Sequence, residues 1–121
     1  MNEVDFSTLV GHKIVEVNDS FGELFITTDR ASFRMRHDGE CCEQVELIDG
    51  LDDLRGLVGE TVVVAAKAVS DGGAAPKDFT DQGCSEWTFY MLRTANGDAT
   101  LRWFGSSNGY YSTDVKFYEE S

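Results

Sequence analysis

Residues 85–104 read SEWTFYMLRTANGDATLRWF, two aromatic-rich runs separated by Ala-Asn-Gly-Asp. Asn-Gly accepts the positive φ of a type I′ turn, the turn whose twist matches that of a paired antiparallel ribbon. This stretch therefore folds back on itself as a long hairpin, and the shorter patterns around it follow suit. KIVEV and ELFITTD flank the turn DSFG as a second hairpin. ASFRMRHD alternates cleanly, with Phe33, Met35 and His37 on one face and Arg34 and Arg36 on the other. QVELID and DVKFYEE read as further strands. The unbroken apolar run TVVVAAKAVS predicts a central strand covered on both faces. Two helical signals interrupt the strands. DFSTLVGHK opens with a turn capped by Asp5, and LDDLRGLVG carries Leu51, Leu54 and Leu57 near one helical face with Gly59 as the stop. SDGGAAPKDFTDQG breaks all periodicity and predicts the longest, mobile loop. The expected architecture is α+β, mainly an antiparallel, strongly curved sheet or small open barrel with two short helices. It forms a single domain over residues 1–121.

The 121 residues are 41% hydrophobic and 12% aromatic, enough for one buried core. They carry 22 acidic and 10 basic residues, a formal net charge of −12. Dispersed cations and a strong negative balance disfavour direct contact with nucleic acid, which needs clustered Lys and Arg. The same charge attracts a basic protein partner, even by imitating the phosphates of DNA. No apolar run approaches the roughly 18 residues of a membrane span. MNEVDFSTLV also lacks the basic and apolar regions of a signal peptide, so a cytoplasmic protein with no membrane association is expected. Three cysteines, two of them adjacent, make a poor disulfide framework and fit a reducing compartment.

Two stretches hold candidate functional residues. HDGECCE, residues 37–43, places His37, Cys41 and Cys42 together with acidic neighbours. If any metal is bound, these three are its ligands, but adjacent side chains diverge and no Cys-x-x-Cys pair is present, so no cofactor is expected. A thiol nucleophile there would need a base and an oxyanion hole, and nothing identifies the latter. The expectation is that HDGECCE is structural, with His37 turned to the core side and one cysteine filling space. The second stretch is SSNGYYS. With Arg102 and Trp103 beside it, Asn108, Tyr110 and Tyr111 supply charge, stacking and hydrogen bonds suited to a ligand or a protein partner. Walker, Rossmann and Gly-x-Ser-x-Gly motifs are absent from the sequence.

Taken together, RHDGECCEQVEL, the helix DLRGLVGE, WTFY and RWFGSSNGYYSTDV resemble a family of short acidic phage and bacterial proteins of unknown function. His37, Asp38, Cys41, Cys42 and Glu43 match its first block. Trp87 to Tyr90 match the second, and Arg102, Trp103, Gly105, Ser107 to Ser112 and Val115 the third. The alanine- and glycine-rich residues 71–75 depart from that family's more acidic loop. The resemblance carries no assigned activity. It implies a small phage-type accessory protein that binds and modulates or inhibits a host or defence protein, in the host cytoplasm if phage-encoded. The alternative it leaves open is binding or sequestering a small nucleotide-like ligand. A Cys/His metal protein is the third reading. With no complete catalytic set, enzymatic activity is not the expected class.

Overall fold

The structure is a computed structural model that describes residues 1–39, 43–71, 75–76, 84–107 and 113–120. Asn108, Tyr110, Tyr111, Cys41 and Cys42 therefore lie outside the described residues, as does most of the loop expected at 70–83.

The strands are β1 (Asn2–Glu3), β2 (Ile14–Ser20), β3 (Glu23–Thr28), β4 (Ser32–Arg36), β5 (Gln44–Asp49), β6 (Val62–Asp71), β7 (Cys84–Thr94), β8 (Gly97–Ser107) and β9 (Lys116–Glu120). The α-helix α1 (Leu51–Arg55) follows β5, and the first helical signal is a 3-10 turn over Phe6–Leu9. Asp5 caps that turn by accepting from the Ser7 backbone N–H at 2.9 Å, the capping bond expected of it. No helix among the described residues is long and apolar enough to cross a membrane.

The strands form two antiparallel sheets, in the orders β1-β9-β4-β3-β2 and β5-β8-β7-β6. This corrects the expected strongly curved sheet or open barrel: among the described residues the fold is mainly β, two antiparallel layers, with one α-helix and a 3-10 turn at the two expected helical signals. The chain changes layer between β4 and β5, so HDGECCE links the sheets instead of turning within one. Among the described residues the sheets touch edge to edge at one corner only, where Lys13 bridges Thr61 and the Gly11 and Val62 N–H groups donate to Val62 O and His12 O.

Burial follows strand parity. Leu24, Ile26, Phe33, Met35 and Phe117 face inward from the first sheet, and Tyr90, Leu92, Leu101 and Trp103 from the second. Phe6 closes one end, with its ring edge-on to Tyr90 at 4.8 Å and to Phe117 at 5.0 Å. His12 is buried, with Nδ1 2.8 Å from Thr28 Oγ1. That hydroxyl also serves Ala31 O and the Arg30 and Ala31 N–H groups, which fixes the β3–β4 turn.

A second correction concerns β6. The run that reads as a central strand is an edge strand: among the described residues it is paired along its length with β7 alone. Valine-rich composition reports a preference for pleated, buried surroundings and cannot assign a strand its place in the sheet.

The joint between β5 and α1 depends on Gly50, at φ 103°. A Cβ there would lie 2.0 Å from the Thr100 carbonyl oxygen. Gly50→Ala is therefore expected to lower stability by roughly 3 kcal/mol or more, from a disallowed backbone plus a backbone clash. Urea unfolding checks this, and a cost under about 1 kcal/mol would mean the joint relaxes freely.

Candidate functional site

The β2–β3 hairpin closes with Ser20 opposite Glu23, leaving a two-residue turn of Phe21 and Gly22. Their φ values are 50° and 77°, so both occupy the left-handed region that a primed hairpin turn requires. Asn-Gly fills such a turn without strain, whereas a bulky aromatic in the first position is a genuine outlier. Phe21 is moreover 100% exposed. The hairpin thus holds a strained backbone and presents a whole phenyl ring to water.

Beside this tip runs a groove of about 360 Å³ between the hairpin and β5. Val45, Leu47, Leu51 and Trp103 supply its apolar lining, and Asp19, Glu23, Glu46 and Asp49 its carboxylates. A break in register between Leu47 and Asp49 bends β5 along the groove. Three of the carboxylates are held by arginines. Arg55 reaches Asp19 at 3.0 Å, and Arg36 and Arg34 lie 3.5 and 3.7 Å from Glu23. Arg102 grips Asp49 with both nitrogens, Nε at 2.8 Å. That hydrogen bonding holds the Asp49 carboxyl below the usual carboxylate range. Asp52 and Asp53, in the first turn of α1, add further negative charge at the same end. Fixed carboxylates with spare lone pairs around an apolar floor suit an apolar anchor flanked by Lys or Arg.

The residues expected to bind are distributed differently from their sequence order. Trp103 is only 1% exposed, and its indole N–H donates to Met35 Sδ at 3.0 Å. It floors the groove and does not project into solvent. Arg102 points to the opposite face of β8, where its guanidinium lies over the Trp87 ring at 5.3 Å. There Trp87 stacks on Phe89 at 6.2 Å and meets Phe104 edge-on at 4.9 Å. Neighbours on a strand face opposite ways, so Arg102 and Trp103 serve two surfaces. Phe21 was missed by sequence reasoning, although its signal is visible: an aromatic where a two-residue turn favours Asn.

His37 follows directly after β4, with its side chain largely buried. Its Nδ1 donates to Asp114 O at 2.7 Å, and its Nε2 lies 3.1 Å from Glu43 Oε1. The Glu43 side chain is itself nearly buried, so the two ends of HDGECCE are tied together across residues 40–42. Next to it, the Tyr118 hydroxyl and then Arg36 hold the Asp38 carboxyl low. Among the described residues no three metal-ligating side chains converge.

Replacing Phe21 by Asn should relieve the left-handed strain and raise stability by about 1 kcal/mol, since no buried contact is lost. A rise in the urea midpoint with unchanged slope is the expected result. A fall would show that the ring has a folded-state contact.

No curated protein and no solved structure shows significant similarity to this chain. The family described as a domain of unknown function, DUF7448, matches residues 7–117. With nearly its whole length matched, the chain belongs to the DUF7448 family.

Proposed function

We propose that this protein works by binding: it is a small accessory protein, phage-type in setting and cytoplasmic in action, that docks a host or defence protein and modulates or inhibits it. The observation that carries the reading is Phe21, fully exposed on a strained turn beside the acid-rimmed apolar groove. Strain of this kind costs stability and persists where something else is gained. Aromatic residues, Phe included, are enriched in the buried core of protein interfaces relative to the rest of the surface. The groove supplies the complementary half: the partner inserts an apolar side chain between β5 and the hairpin, its basic neighbours bond to Asp19, Glu23, Glu46 and Asp49, and Phe21 packs on its surface. The net charge of −12 speeds encounter with a basic partner.

Pull-down from bacterial lysate should recover one stoichiometric protein with the wild type. The Phe21→Asn variant, folded and stabilised, should recover at most about a tenth as much. Capture should weaken as ionic strength rises from about 0.05 to 0.5 M. Equal recovery by both proteins would remove the hairpin tip from the mechanism.

A nucleotide-like ligand is the second reading, favoured by the Arg102 guanidinium over Trp87 with Phe89 stacked alongside. The commitment of Arg102 to Asp49 weighs against it, because a phosphate must displace that carboxylate. A thermal-shift screen over nucleotides separates the two. A true ligand at about 100 times its dissociation constant adds about 2.7 kcal/mol, and a flat screen ends this alternative.

A further inference from the structure

Natural sheets blunt their outer strands with charges, prolines, bulges or a covering loop, because unpaired backbone groups invite another strand. Among the described residues β6 has little of this protection. β6 reads VVVAAKAVSD, with no proline and, ahead of its terminal Asp71, a single charge. That charge, on Lys67, is turned to Asp114 at 2.9 Å. The one break in register lies between Val62 and Val64, at the start of the strand. Past that corner, no strand among the described residues pairs with the free side of β6. Val63, Val64 and Val69 are each about half exposed.

The adjoining outer face is also apolar and electrically neutral. Val64, Ala66 and Met91 line a shallow depression with Arg93, Asp98 and Thr100. Arg93 stands opposite Asp98 across the β7–β8 pair, and Arg102 is bonded to Asp49. On a molecule of net charge −12 this is a surface that a second, equally acidic copy can approach without facing an excess of like charge. Its composition explains why the strand reads as central: flanked on both sides, it would be one.

We propose that β6 pairs antiparallel with β6 of a second copy across a two-fold axis, joining the two four-stranded sheets into one of eight strands. A two-fold contact is self-complementary, so one edge and one neutral face suffice for both partners. The groove lies beside β5, at the far edge of the same sheet, and stays open in the dimer.

Sedimentation of the full chain between about 1 and 100 µM should show a concentration-dependent species of twice the chain mass. Val64→Lys and Val69→Lys should each weaken it by about tenfold or more. Each added lysine lowers the repulsion between two acidic copies, so a general charge effect would act in the opposite direction. Amide exchange along β6 should slow with wild-type concentration and not with that of the variants. Phe21→Asn should dimerise like the wild type. A wild type that keeps the single-chain mass throughout overturns the proposal. So does a dimer that both lysine variants retain, because its contact then lies elsewhere.

Discussion

The indole of Trp103 is where the two layers and the groove meet. Its N–H is spent on the Met35 sulfur of the opposite sheet, its strand neighbour is Leu47 of β5, and one side of the ring floors the cleft beside the hairpin. Because the indole is large and almost wholly buried, its position sets the separation of the sheets around it. The spacing between β5 and the β2–β3 hairpin follows from that separation. The groove is thus a by-product of core packing. Its shape is as rigid as the core, while its chemistry is set by carboxylates that arginines hold from behind.

Most of the strands were legible because their side chains obey a period of two and their turns carry Asn-Gly, Gly or Asp. Phe33 and Met35 share a buried face as their alternation requires, and the 85–104 hairpin pairs from Thr94–Gly97 to Cys84–Ser107. The arrangement of those strands was less legible. Alternation records which face is buried but not which strand lies next to which, so β6 read as central and the two sheets as one curved sheet. The terminal strand β1 is two residues long and has no periodicity to detect.

The site was half legible. Arg102 and Trp103 stand out as residue types, yet the strand sends them to opposite faces, and only Trp103 reaches the groove. The rim carboxylates come from β2, β3 and β5, residues 19 to 49, and no spacing rule links them. Phe21 was within reach of sequence reasoning through turn chemistry alone, because a Phe-Gly turn between paired strands forces an aromatic into the left-handed region.

The placement of β9 bears on how the molecule comes into being. Residues 116–120 lie between β4 and β1, so the first sheet is completed by a strand made after every other strand among the described residues. Until those residues leave the ribosome, β4 has an open side and β1 has nothing to pair with. Phe117 is likewise missing from its stack on Phe33 and from the edge of Phe6. The hairpins can form vectorially as they emerge, but the layer they belong to cannot close. Folding is in this sense gated by translation, and a nascent chain lacking β9 exposes apolar strands to whatever chaperone meets it first.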